Sequence, residues 1–200
     1  MINLNLYPNN SVFSDCKLVL PYDYNTILSE LQNETNWVEY TSTPLRTRLF
    51  HPTSKVLQEI MSFFESNEVH EQICNHAYDT FHEIQSRWGL TLEKLIEISC
   101  LHSEFNKDLP GWYQAIHMDI KHYICTGFIY FTEKDDEKLS SYFYSNQNGD
   151  GPVRAKTEFC TGWLHINDIN SWHGGVNSSE DNRYTILFAL CIKSLRRSVL

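Results

Sequence analysis

Residues 111–119 read Gly111-Trp112-Tyr113-Gln114-Ala115-Ile116-His117-Met118-Asp119, a short strand-like run that ends in His-x-Asp. Residues i and i+2 of a strand project to one face, so this imidazole and carboxylate can hold one cation. On a regular strand Tyr113 shares that face, and Trp112 and Gln114 point the other way. A lone His-x-Asp is a weak signal, because the pair can equally be hydrogen-bonded inside a sheet. Its weight comes from residues further on. His173 lies within Ser171-Trp172-His173-Gly174-Gly175-Val176, and Arg183 opens Arg183-Tyr184-Thr185-Ile186-Leu187-Phe188. Two histidines and a carboxylate form a facial triad that leaves one side of an octahedral ferrous ion open. Arg183 supplies a planar fork for a carboxylate, and Thr185 adds a hydroxyl on the same strand face.

Outward from this stretch the chain changes texture. Before about residue 104 the pattern is mainly helical. Asp23 to Gln32 carries Tyr24, Ile27, Leu28 and Leu31 at helical spacing, and Ser54 opens a second stripe of Val56, Leu57, Ile60, Met61 and Phe64. Further helices are predicted over 68–88, stopping at Gly89, and over 91–101. Short strands are expected at 18–20, 37–40 and 46–50. After residue 104 strands are predicted at 112–118, 123–132, 141–144, 153–159, 162–166 and 184–192, with a turn at Asn146 to Pro152. The expectation is one α+β domain over 1–200, with an α-rich support region at 1–103 and a mainly β core at 104–195.

Composition sets the bounds. Two hundred residues suffice for a hydrophobic core without staples. A formal charge of −9 repels phosphate backbones, so a nucleic-acid partner is disfavoured, and Arg196-Arg197 is too small a basic run to reverse this. The start lacks the pattern of a signal peptide and no apolar run reaches membrane-span length, which predicts a cytoplasmic protein. Six cysteines without a C-x-x-C pair read as buried thiols. Phosphate-loop, dinucleotide, nucleophile-elbow and H-E-x-x-H motifs are absent. Among nine histidines, His51, His70, His76, His82 and His102 read as surface or capping residues, and His122 and His165 have no partner at ligand spacing. Trp112, Trp163 and Trp172 read as β-core residues.

The ordered pattern His117-x-Asp119…His173…Arg183-x-Thr185 resembles that of the Fe(II)- and 2-oxoglutarate-dependent dioxygenases, in the branch that includes prolyl hydroxylases. Thr126-Gly127-Phe128-Ile129-Tyr130-Phe131-Thr132 is similar to the strand that follows His-x-Asp in that family. The resemblance implies a double-stranded β-helix, a jelly-roll or cupin-like barrel, buttressed by the N-terminal helices. It implies Fe(II) held by His117, Asp119 and His173. The keto-acid end of 2-oxoglutarate would chelate iron, and its far carboxylate would meet Arg183, Thr185 and Tyr130. Thr126 would face the cosubstrate and Tyr113 is a candidate for its chelating end. Dioxygen would be the oxidant and ascorbate a candidate reductant. The implied reaction hydroxylates a C–H bond of a peptide, amino acid or small metabolite, releasing succinate and carbon dioxide. The family's Gly-Gly-x-Thr segment is missing, since Glu133 to Ser141 is charged there. Two other readings stand beside it: a cupin-type metalloenzyme that does not use 2-oxoglutarate, and a non-catalytic barrel serving as a binding module.

Overall fold

The computed structural model describes residues 1–10, 12–40, 42–119, 123–168 and 170–194; His122, Arg196 and Arg197 lie outside them. The chain begins with strands β1 (Asn3–Pro8) and β2 (Phe13–Val19), helix α1 (Tyr24–Asn33), and strands β3 (Val38–Glu39) and β4 (Arg46–Leu49). Helices α2 (Lys55–Phe64), α3 (Asn67–Thr80), α4 (Glu83–Ser86) and α5 (Leu92–Ile98) follow. Then come β5 (Ser99–Asp108), β6 (Tyr113–His117), β7 (Tyr123–Tyr130), β8 (Ser141–Tyr144), β9 (Val153–Arg154), β10 (Thr161–Ile166), β11 (Trp172–Val176) and β12 (Arg183–Ile192).

The strands form two antiparallel sheets. The larger runs β1-β2-β10-β7-β12-β5-β4-β3 and the smaller β6-β11-β8-β9. Helices cover one face of the larger sheet. The α2 stripe buries Leu57, Ile60, Met61 and Phe64, with Ser54 accepting from the Leu57 N–H at its entry, and Phe64 stacks on Phe188 of β12 at 4.9 Å. Each such side chain contributes roughly 1.5–3 kcal/mol by leaving water. On the opposite face Phe13, Tyr130, Phe143 and Trp163 pack the two sheets together, with Phe13 and Phe143 stacked at 4.7 Å. The residues that matter for chemistry lie in the gap between the sheets.

The helical stripes and most C-terminal strands fall where the sequence places them; the boundary at 103/104 does not mark where the sheet begins. β1 to β4 and the start of β5 all belong to the larger sheet. The stretch read as the end of a helix over 91–101 turns into β5 at Ser99, whose hydroxyl donates to the Leu95 carbonyl as the helix ends. In β5, Glu104, Asn106 and Asp108 stand directly opposite Leu187, Thr185 and Arg183 of β12. All three β5 residues are buried polar residues within the sheet. The helix expected over 68–88 breaks at Phe81, which turns extended and is fully buried. The strand expected over 153–159 is reduced to Val153–Arg154.

Arg46, Asp108 and Arg183 sit opposite one another across β4, β5 and β12. Asp108 is fully buried and takes both guanidiniums: Arg46 at 2.5 and 3.0 Å, Arg183 at 2.9 and 2.6 Å. Burial alone would raise the Asp108 carboxyl, but the two arginines overcome it and hold it below the usual carboxylate range. Its stabilisation is therefore complete above the unfolded value of about 4 and is lost as pH falls through the lower folded value. Asp108→Ala should cost about 3–5 kcal/mol in denaturant unfolding at neutral pH. The difference from wild type should shrink in acid below about pH 4; a difference that stays flat with pH would show that Asp108 is not the linked group.

Candidate metal centre

His117 ends β6 and His173 lies next to it on β11, directly opposite in register. Each imidazole Nδ1 meets a main-chain carbonyl, Ala115 for His117 and Ser171 for His173, both at 2.9 Å. An Nδ1–H donated to a carbonyl leaves the Nε2 lone pair free for a metal. Both Nε2 atoms face Asp119 Oδ1, at 3.6 Å from His117 and 3.7 Å from His173. The three ligand atoms lie within 4.8 Å of one another. Ligands about 2.1 Å from one ion at right angles are about 3 Å apart, so small rotations would close the set on a cation. Burial and the neighbouring His165 ring push the His173 imidazolium down to about 3, so the neutral, ligating form is present at neutral pH. Burial opposes the charge on Asp119, yet the facing imidazoles of His173, His117 and His165 hold its carboxyl well below the usual range.

The register of β6 carries a correction. Between His173 and Gly175 the partner strand advances from His117 to Gln114, one residue more than a regular ladder allows. This bulge reverses the alternation. Tyr113, expected beside His117, is 65% exposed and absent from the cavity lining, and Gln114 takes its place, its amide nitrogen 3.0 Å from His117 Nε2. Which end of that amide faces the ring is set by what occupies the site.

His165 also departs from expectation. It is fully buried on β10, its Nε2 is 3.3 Å from Asp119 Oδ2, and its ring centre is 4.5 Å from that of His173. Neither ring nitrogen has a well-aligned hydrogen bond among the described residues. The second oxygen of Asp119 thus turns toward His165 while the first faces the two ligand histidines.

A cavity of about 230 Å³ runs from these ligands to the Arg46–Asp108–Arg183 cluster. Thr126, Tyr130, Ser141, Trp163 and Gly175 also line it. Trp163 Nε1 donates to the Tyr130 hydroxyl at 3.1 Å, and Tyr130 donates to Ser141 Oγ at 2.8 Å. Thr126 Oγ1 and Thr185 Oγ1 are buried with no hydrogen bond among the described residues. Thr185 stands opposite Tyr130 in the sheet and is not part of the lining. Trp112 is buried not in an apolar core but against both arginines, with guanidinium carbons 4.3 and 4.2 Å from its ring centre. Gly175 permits this, since a Cβ there would come within 2.9 Å of the indole. Trp163 is a core residue of the inter-sheet cluster, as expected, and Trp172 is half-buried at a second cleft.

Sequence reasoning therefore missed Gln114, His165, Arg46 and Asp108. The bulge leaves no mark in residue type, and Arg46 reaches the site only because β4 joins the sheet beside β5. For His165 a signal existed: it shares a strand face with Trp163, and a buried histidine demands a partner.

If His165 fixes the orientation of Asp119, its loss should be felt at the metal. His165→Leu should retain the fold and bind Fe(II) or Ni(II) about 10- to 100-fold more weakly in a calorimetric titration. Unchanged affinity would mean that Asp119 needs no such support.

No protein-family model matches the chain, and no curated protein matches it by sequence. Solved structures do. A prolyl hydroxylase from Trichoplax adhaerens, in complex with a hypoxia inducible factor oxygen degradation domain peptide, superposes with TM-score 0.60 at 13% identity, covering 95% of this chain and 88% of that one. HygX from Streptomyces hygroscopicus, with nickel and 2-oxoglutarate bound, gives 0.54 at 10% identity over 92% and 84%. A Pseudomonas putida prolyl-4-hydroxylase gives 0.55 at 9% identity over 92% and 94%. By fold, this chain is similar to prolyl hydroxylases and to a protein that holds nickel and 2-oxoglutarate.

Proposed function

We propose that this protein is an Fe(II)- and 2-oxoglutarate-dependent oxygenase built on a double-stranded β-helix, hydroxylating a C–H bond of a peptide, amino acid or small metabolite. The observation that carries the reading is the match between the cavity's charge and the cosubstrate's. At one end a divalent ion with Asp119 and two neutral histidines would carry one net positive charge. At the other, two guanidiniums against the single Asp108 carboxylate leave one more. A compact dianion with a carboxylate at each end neutralises both, and 2-oxoglutarate has that form. The similarity to a nickel- and 2-oxoglutarate-bound structure supports the same reading.

His117, Asp119 and His173 would hold the metal, with Nδ1–H bonds to Ala115 and Ser171 fixing the ring tautomers. Bound iron with its cosubstrate supplies the oxidising chemistry, coupling decarboxylation to hydroxylation with dioxygen as oxidant. The chain's own residues supply position. Arg183 and Arg46 would receive the far carboxylate, and Ser141, whose oxygen accepts from Tyr130, would turn its own hydrogen toward the cavity. Thr126, whose buried hydroxyl has no partner among the described residues, faces the same space. Phe128, Trp163 and Leu187 line the wall and limit water. Gln114 is placed to contact whatever joins the metal beside His117.

On the outer side of the ligands, His117, Met118 and Asp119 border a second cleft of about 830 Å³ with an apolar lining that includes Ile116 and Trp172. That is the side from which a substrate would reach the metal. No helix of the described residues is long and apolar enough to cross a membrane.

Anaerobic addition of 2-oxoglutarate to Fe(II)-loaded protein should produce a visible charge-transfer band that is absent in His173→Ala. The same protein in air should release succinate when offered a panel of peptides and metabolites. A wild-type protein that binds Fe(II) yet develops no band would contradict the use of 2-oxoglutarate and favour a metalloenzyme that dispenses with it.

A further inference from the structure

We propose that the anion end of the cavity is a two-arginine clamp in which Arg46, delivered by the N-terminal half of the chain, selects a dicarboxylate over a 2-oxo monoacid. This rests on the reading above that the cavity takes 2-oxoglutarate.

A guanidinium has five N–H groups. In Arg183, Nε and Nη2 donate to Asp108 Oδ2 at 2.9 and 2.6 Å, and Nη1 donates to the carbonyls of Leu139 and Val176 at 3.0 and 3.3 Å. One N–H remains. In Arg46, Nε donates to Asp108 Oδ1 at 2.5 Å and Nη2 to Oδ2 at 3.0 Å. Its Nη1 has no partner among the described residues, so three N–H groups remain, on a side chain that lines the cavity.

Charge leads to the same residue. Asp108 takes two bonds from each guanidinium, so the cluster as a whole keeps one positive charge, and Arg183 has spent all but one N–H group. Arg48, the next arginine facing this gap from β4, is already paired with the buried Glu104 at 3.0 Å. Arg46, with three N–H groups to spare, is therefore the arm through which the cluster's surplus charge can meet a carboxylate. Its position is fixed three ways: by the Arg46–Asp108 register, by the two bonds to Asp108, and by the Trp112 ring 4.3 Å from its guanidinium carbon. A planar fork held against an aromatic face loses little further freedom on receiving a carboxylate.

The test compares two ligands that share a chelating end. 2-Oxoglutarate and 2-oxobutanoate are titrated by calorimetry into Ni(II)-loaded wild type, Arg46→Gln and Arg46→Lys, with unfolding curves recorded for each. Arg46→Gln should weaken 2-oxoglutarate about 10- to 100-fold and leave 2-oxobutanoate within about threefold. Arg46→Lys keeps the charge and loses the fork, so its selectivity should fall between; it decides the matter if the glutamine variant does not fold. Wild type that binds 2-oxoglutarate with both variants unaffected would overturn the clamp and leave the proposed function standing. Equal weakening of both ligands would also overturn it, by showing a structural role. Wild type that binds neither ligand would overturn the proposed function itself.

Discussion

Asp108 is the constraint on which the rest depends. A fully buried carboxylate is costly unless its charge is met, and here it is met twice, by Arg46 and Arg183 on the strands to either side. The result is more than an ion pair. It ties the N-terminal strand β4, the central β5 and the C-terminal β12 into one row. It also leaves a buried positive charge that no group of the described chain cancels. Such a surplus beside a cavity favours an anion there. If His117, Asp119 and His173 at the other end of the same cavity hold a metal, as proposed, that end sets what kind of anion would suit it.

The division of labour between the sheets follows from this row. The smaller sheet supplies His117 and His173 on neighbouring strands, with Asp119 just beyond β6. The larger sheet supplies His165 behind Asp119, the arginines at the far end, and Trp163 and Tyr130 along the wall, whose hydrogen-bond chain ends on Ser141 of the smaller sheet. Helices never enter the gap. They cover the outer face of the larger sheet, where Phe64 meets Phe188, and the α4–α5 region adds Arg87, Trp88, Leu90 and Ile98 to the second cleft.

How much of this could be read from sequence depends on the range of the interaction. The stripes at Leu57, Ile60, Met61 and Phe64, and the clustering of His117, Asp119 and His173, follow from local period and motif order. Residue type and local period do not tell a polar strand face buried against another strand from a solvated one. Glu104, Asn106 and Asp108 belong to that class, and so does Arg46, whose role appears only when β4 pairs with β5. The bulge in β6 is a separate case. One extra residue exchanged Tyr113 for Gln114 beside His117, and residue identity alone does not report a ladder slip.

The central claim is that one cavity has two positively charged ends, one of them created by a metal. The most direct measurement is calorimetric titration of 2-oxoglutarate into the protein with and without Ni(II), beside glutarate, which keeps both carboxylates and lacks the chelating keto group. The account predicts one equivalent of 2-oxoglutarate per chain with metal present, much weaker binding without it, and glutarate affinity that changes little when metal is added. Binding of 2-oxoglutarate that is indifferent to the metal, or absent from metal-loaded protein, would contradict it.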